Sequence, residues 1–219
     1  MSQDEAAPRL KITEIFRSLQ GEADTAGIPT VFVRLTGCPL RCQYCDTAYA
    51  FHGGQWHELE DILRKVRDYA TPHVCVTGGE PLAQKGCTAL LRELCDAGFR
   101  VSLETSGAMP LDEVDARVVK VVDVKTPGSG EEARNRYPEL QRLDAKDLVK
   151  FVICSREDYE WSRAKLAELQ LAARCTVLFS PSHEQLKPGE LADWLLEDHL
   201  PVRFQLQLHK YLWGNVPGK

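Results

Sequence analysis

Three cysteines, Cys38, Cys42 and Cys45, lie in the segment Gly37-Cys38-Pro39-Leu40-Arg41-Cys42-Gln43-Tyr44-Cys45-Asp46-Thr47, with three residues between the first pair and two between the second. Loops this short let three thiolates wrap one corner of an iron–sulfur cube, each sulfur reaching a different iron while backbone N–H groups point at the cluster. The segment has no fourth cysteine, so a cubane held here keeps one iron open, as a catalytic zinc keeps an open position. The same spacing suits a zinc site completed by His52 or His57, or a four-cysteine cluster completed from a distance by Cys75.

Other residues able to do chemistry recur at intervals, each just after a β-rich apolar run. Gly78-Gly79-Glu80-Pro81 follows 73–77, Thr105-Ser106-Gly107 follows 100–104, and Lys125-Thr126-Pro127 follows 118–124. Ser155 follows 148–154, Ser180-Pro181-Ser182 follows 175–179, and His209-Lys210 follows 202–208. The cysteine loop is delivered by 31–35, behind a short strand at 11–16 and a Gly/Ala-containing loop over 20–29. Between these runs apolar residues recur at helical spacing over 57–69, 82–97, 157–169 and 190–197, and Gly98 stops the second helix.

Strands alternating with helices predict an α/β protein built of parallel βαβ units. In a barrel of such units the strand ends converge on one face, where the fold places its chemistry. A closed eight-fold barrel takes about 250 residues, so this shorter chain predicts an open, partial parallel β/α barrel of about six strand–helix units. A doubly wound sheet is the alternative that the same alternation allows.

The chain is 43% hydrophobic and carries a net charge of −5 with acids and bases interspersed. That supports a sizeable core in one domain over 1–219, and it gives no basic face for nucleic acid or an anionic membrane. Residues 1–9 contain Asp4 and Glu5 and no apolar stretch, which predicts a flexible extension; no later run approaches a membrane span. A cytoplasmic protein with a small-molecule partner is expected. Eight cysteines are too sparse for a disulfide scaffold, and Cys75, Cys87, Cys95, Cys154 and Cys175 lie in apolar segments where free cysteine is a small buried hydrophobe.

The cysteine spacing with Tyr44 before the last cysteine, together with Gly78-Gly79-Glu80-Pro81, resembles the radical S-adenosylmethionine superfamily. Four further segments resemble the 7-carboxy-7-deazaguanine synthase family within it: Phe16-Arg17-Ser18-Leu19-Gln20-Gly21-Glu22, Cys45-Asp46-Thr47, Glu104-Thr105-Ser106-Gly107 and Gln207-Leu208-His209-Lys210-Tyr211. The resemblance runs in order over nearly the whole chain. It departs at Ala23 and Asp24, where the family often has glycine, and over 126–142, where no motif aligns.

The resemblance implies a [4Fe-4S] cluster on Cys38, Cys42 and Cys45 that reduces S-adenosylmethionine chelated at the open iron. The resulting deoxyadenosyl radical takes hydrogen from 6-carboxy-5,6,7,8-tetrahydropterin, which contracts to 7-carboxy-7-deazaguanine with loss of ammonia, on the route to queuosine and other deazapurines. It implies that the cofactor is regenerated. It also implies a flavodoxin- or ferredoxin-type electron donor and a homodimer.

Roles follow residue by residue, beside plainer readings. Gly78 and Gly79 would admit the methionine end of the cofactor, the Gly79 carbonyl accepting from its amino group, while Glu80 fixes the loop or pairs with that ammonium. The backbone of Tyr44, Cys45 and Asp46 would pack on the cofactor, and Ser106, Asp123, Val124 and Lys125 would meet its ribose and carboxylate, unless Lys125 is a solvated lysine. Leu19, Gln20 and Gly21 would read the pterin edge through backbone groups, with Thr77 also in contact. Arg34 lies in an otherwise apolar strand, where an unpaired charge is costly; it either clamps the substrate carboxylate bidentately or pairs with a neighbouring strand. Thr47 would ligate Mg²⁺, a hard cation suited to oxygen ligands, or else cap a local turn. His209 and Lys210 have a substrate role or a structural one. Two rivals stay open: a glycyl-radical-activating enzyme acting on a partner protein, and an electron-transfer or zinc module with no substrate.

Overall fold

The computed structural model describes residues 8–214 and 216–219. Its nine-stranded sheet has the order β3-β1-β2-β4-β5-β6-β7-β8-β9 and does not close. The strands are β1 (Arg9–Leu19), β2 (Pro29–Leu35), β3 (Gln55–Glu58), β4 (His73–Gly78), β5 (Arg100–Thr105), β6 (Val119–Val124), β7 (Leu148–Ile153), β8 (Thr176–Pro181) and β9 (Arg203–Phe204). From β2 to β9 every neighbouring pair is parallel, so six crossovers join seven strands; β1 pairs antiparallel with β2 and β3 at one edge.

Four crossovers carry an α-helix, namely α1 (Leu59–Asp68), α2 (Cys87–Asp96), α3 (Arg156–Glu168) and α4 (Pro188–Glu197). Those after β5 and β6 contain loops and short 3-10 turns instead. Period-two alternation puts one side of each strand under the helices and the other inside the barrel. Val31, Val33 and Leu35, with Val74, Val76, Val101 and Leu103, face outward and pack with Ile62, Val66, Leu90 and Leu94 of α1 and α2. Val122, Val124, Val149, Phe151, Ile153, Val177 and Phe179 pack outward with Tyr159, Leu166, Leu191 and Leu195 of α3 and α4. The intervening residues, among them Phe32, Arg34, Thr77, Glu104, Asp123 and Lys150, line the interior. This is the open parallel barrel that the alternation predicts.

Two local expectations need correction, and a third falls mostly outside the described residues. The helix expected over 57–69 starts at Leu59, because Gln55–Glu58 adds to the sheet edge against Arg9–Ile12. The last strand, expected over 202–208, stops at Phe204, and α5 (Leu208–Trp213) carries His209 and Lys210 on a helix rather than a strand end. Of the extension expected over 1–9, residues 1–7 lie outside the described residues, and Arg9 begins β1. Among the described residues no helix is long and apolar enough to cross a membrane.

Candidate active site

The strand ends open into a broad cavity that is partly open to solvent. Cys38, Cys42 and Cys45 line it. Their loop is tied down on three sides. Gly37, with φ +98°, donates to the Ala50 carbonyl at 2.8 Å and accepts from the Glu80 N–H at 2.8 Å. The Arg41 guanidinium caps the Cys38 and Leu40 carbonyls at 2.8 and 2.6 Å. Gln43 donates its N–H to the Ser129 carbonyl at 3.0 Å, and the Arg41 N–H donates to the Glu131 carboxylate.

The segment over 126–142, which no motif explains, therefore begins as a clasp on the cysteine loop. The clasp is itself held by Asp158 on α3, whose carboxylate accepts from Thr126 Oγ1 at 3.1 Å, the Gly128 N–H at 2.8 Å and the Cys154 N–H at 3.1 Å. Cys154, read as core from its apolar segment, is half-buried with its thiol 3.8 Å from Gln43 Nε2.

Burial pushes all three loop thiols above their ordinary range, Cys42 to about 11. Among the described residues no three His, Cys, Asp or Glu side chains converge on one point as ligands of a single ion would. Cys75, the distant fourth candidate, is fully buried on β4 beside Gln20 and Ser102, and is not among the cavity-lining residues.

Gly78 and Gly79 line the cavity, but their lack of side chains serves the protein's own backbone. A Cβ on Gly78, whose φ is +156°, would overlap the Leu35 carbonyl, and one on Gly79 would overlap the Gly37 carbonyl. Glu80 is fully buried behind this turn, where its carboxylate accepts from the Leu82 N–H at 2.9 Å, Thr105 Oγ1 at 2.9 Å, the Ser106 N–H at 2.7 Å and Ser106 Oγ at 2.5 Å. These contacts fix the turn from behind.

On the opposite wall Lys125 is buried and donates to Asp123 at 2.9 Å, so it is not a solvated lysine. Burial would lower its pKa, but Asp123 and Cys42 hold it above the ordinary range. Asp123 Oδ1 and the Tyr44 hydroxyl are buried and have no partner among the described residues, although both residues line the cavity. Buried polar atoms are normally satisfied; these two offer bonds to a ligand. The side chain of Val124 points into the outer core, which leaves its backbone alone for any cofactor contact.

The loop over Leu19–Glu22 is internally paired. The Gly21 and Glu22 N–H groups donate to Gln20 Oε1 at 2.8 and 3.3 Å, the Gln20 N–H and carbonyl are bonded to Ile28 and Gly27, and the Gly21 carbonyl accepts from Leu208. Recognition through the Gln20 and Gly21 N–H groups would have to displace these bonds. Arg34 takes the ion-pair reading through Nε, 2.7 Å from Glu14 on β1, and still lines the cavity. Thr77 Oγ1 donates to Glu104 at 3.0 Å.

Thr47 does not cap the following 3-10 turn with its side chain; it donates to Asp46 Oδ1 at 2.7 Å. Lys210 reaches across from α5 to Asp46 Oδ2 at 2.8 Å. Burial alone would raise the Asp46 carboxyl, but this ammonium outweighs it and holds the pKa at about 2.

Glu22 and Lys150 also line the cavity, 2.5 Å apart, and Gln207 donates to Glu22 at 2.8 Å. Sequence reasoning passed over this group. The available signal was Lys150 standing as the one charge in an apolar strand, the same signal that picks out Arg34.

An open parallel barrel with three clustered thiols at its mouth defines a class, and the Radical SAM superfamily model matches residues 32–152. The 7-carboxy-7-deazaguanine synthase of Chlorobaculum tepidum is 44% identical over 94% of each chain, and that of Koribacter versatilis is 43% identical over 93% of this chain and 97% of its own. A crystal structure of QueE from Escherichia coli superposes with a TM-score of 0.76 at 24% identity, covering 92% of this chain and 95% of the other. The chain belongs to the 7-carboxy-7-deazaguanine synthase family of radical SAM proteins. The three thiols on one tied loop, with Tyr44 and Asp123 lining the same cavity and each carrying a buried oxygen without a partner among the described residues, fit a cluster and an adenosyl cofactor.

Proposed function

We propose that the protein converts 6-carboxy-5,6,7,8-tetrahydropterin to 7-carboxy-7-deazaguanine and ammonia. The observation that carries this reading is that the cysteine loop and the Leu19–Glu22 loop line one cavity at the mouth of the barrel. Cys38, Cys42 and Cys45 would hold a [4Fe-4S] cluster, and Tyr44, Cys45, Asp46, Gly78, Gly79, Ser106, Asp123, the Val124 backbone and Lys125 would bind S-adenosylmethionine, with Glu80 fixing the turn beneath. When bound, this pair supplies a carbon-centred radical that starts the reaction.

The protein's own residues bind, orient and exclude water. Leu19, Gln20, Gly21 and Thr77 bound the pterin, and Arg34 offers its terminal nitrogens to the carboxylate while Glu14 fixes Nε. The Asp123 and Tyr44 oxygens accept from and donate to the ribose. The buried Glu22–Lys150 pair keeps a fixed dipole beside the substrate loop. A flavodoxin- or ferredoxin-type donor, a homodimer and a cytoplasmic location complete the reading.

The test is anaerobic reconstitution with S-adenosylmethionine, a reductant and the carboxypterin, with products read by mass spectrometry. Deazaguanine and ammonia in equal amounts are expected; cofactor cleavage with the carboxypterin left intact would overturn the substrate assignment.

Thr47 is assigned to Mg²⁺, because its hydroxyl lines the cavity and keeps lone pairs free while donating to Asp46. Added Mg²⁺ is expected to raise turnover roughly tenfold, about 1.4 kcal/mol in the barrier. Thr47→Ala should remove the stimulation, and Thr47→Ser, which keeps the oxygen, should retain part of it. Cluster absorbance should be unchanged in both. Turnover indifferent to Mg²⁺ and to chelator would take the metal out of the substrate site.

A further inference from the structure

The loop that faces the substrate contains a residue in a conformation its own sequence disfavours. Ala23 has φ +62°, in the left-handed region, where an L-residue with a Cβ is strained and glycine is the usual occupant. The side chain explains why alanine is nevertheless accommodated. It is 2% exposed and packs against Val121, Leu148 and Leu178, the apolar floor of the barrel interior. A glycine here would relax the backbone and leave that floor short of a methyl group.

What holds the strained backbone is a distant residue. Gln205 Oε1 accepts from the Ala23 N–H at 2.7 Å, and Gln205 Nε2 donates to the Ala23 carbonyl at 2.7 Å. One amide thus takes both backbone groups of one residue, in the manner of a paired strand. Gln205 is itself buried and anchored, its N–H donating to the Phe179 carbonyl of β8 at 3.0 Å. The neighbouring contacts run the same way: Gln207 reaches Glu22, the Leu208 N–H reaches the Gly21 carbonyl at 2.9 Å, and the His209 ring fills the space that a Cβ on Gly21 would need.

We propose that Gln205 is a positioning residue of the substrate site, holding the Gln20–Ala23 turn in its left-handed form and so setting the shape presented to the substrate. Without its amide the buried N–H and C=O of Ala23 have no replacement partner in this geometry, and the turn relaxes toward a conformation in which φ is negative. The inference rests on the proposed substrate for its kinetic consequence but not for its structural one.

The test uses the full-length reconstituted protein and the volume-conserving variant Gln205→Met, which removes both hydrogen bonds and keeps the packing. Hydrogen exchange of peptides spanning 20–24, measured without substrate, is expected to accelerate by roughly tenfold or more, the scale set by a left-handed penalty of about 1–2 kcal/mol no longer opposed. KM for the carboxypterin should rise by about the same factor, while substrate-free formation of 5′-deoxyadenosine stays within about twofold of the parent. Adding Ala23→Gly to Gln205→Met should recover much of the exchange protection, because glycine adopts the left-handed form without the strain.

Exchange unchanged in Gln205→Met overturns the proposal. So does a double variant no more protected than Gln205→Met, since strain at Ala23 would then not be what Gln205 opposes. If the parent protein does not turn over the carboxypterin, the substrate assignment fails while the exchange measurements still decide the role of Gln205.

Discussion

Replacing Cys38, Cys42 or Cys45 singly with alanine is expected to abolish iron–sulfur absorbance and to bring turnover below detection, whereas Cys75→Ala should retain both. The three loop thiols are half-buried on the cavity wall, in a segment fixed by Gly37, Arg41 and Gln43. In the proposed cluster each would serve a different iron, so no remaining thiol could stand in for a lost one. Cys75 faces the interior from β4, one layer below the cavity, and is fully buried beside Gln20 and Ser102. Its loss removes one buried atom, worth about 1 kcal/mol of stability. Cluster content is read by absorbance near the charge-transfer bands and by iron and sulfide analysis. A Cys75→Ala protein devoid of cluster would restore the four-cysteine reading and close the open iron.

Glu80→Ala is expected to destabilise the fold by roughly 3–5 kcal/mol, because four donors lose their shared acceptor at a fully buried position and an unpaired buried donor costs about 1–3 kcal/mol. The sum is less than four full penalties because the Thr105 and Ser106 hydroxyls can turn toward other acceptors. Damage should reach the cofactor side as well, since the Glu80 N–H bonds the Gly37 carbonyl that opens the cysteine loop. Denaturant unfolding measures the first effect, and cofactor binding to the reconstituted protein measures the second. Glu80→Gln discriminates further: it keeps one acceptor oxygen and should lie between the parent and Glu80→Ala on both scales. Full stability with lost cofactor binding in Glu80→Gln would instead make this carboxylate a direct partner of the cofactor ammonium.

The amino-acid sequence by itself determined the parallel strands, the outward apolar stripe of each and the residues at their ends. These depend on local periodicity: Val31, Val33 and Leu35 must share one face whatever else the chain does. The motif was equally local, because the span of the cysteine loop fixes which sulfurs can reach one cluster. From parallel strands and right-handed crossovers the common mouth follows without further information.

Only the tertiary structure decided how the polar side chains are committed. Phe204, Leu206 and Leu208 alternate as a strand would, but the chain leaves the sheet after Phe204, since Gln205 engages Ala23 and the Leu208 N–H engages Gly21. Four edge residues, Gln55–Glu58, pair with β1 although they show no apolar alternation, because a sheet edge asks only for backbone partners. Gly78 and Gly79 answer to the carbonyls of Leu35 and Gly37, and Glu22 to Lys150, contacts made between segments far apart in the chain. A glycine, a glutamine or a buried ion pair carries no periodicity that names its partner, and its role exists only once the barrel has brought the two segments together.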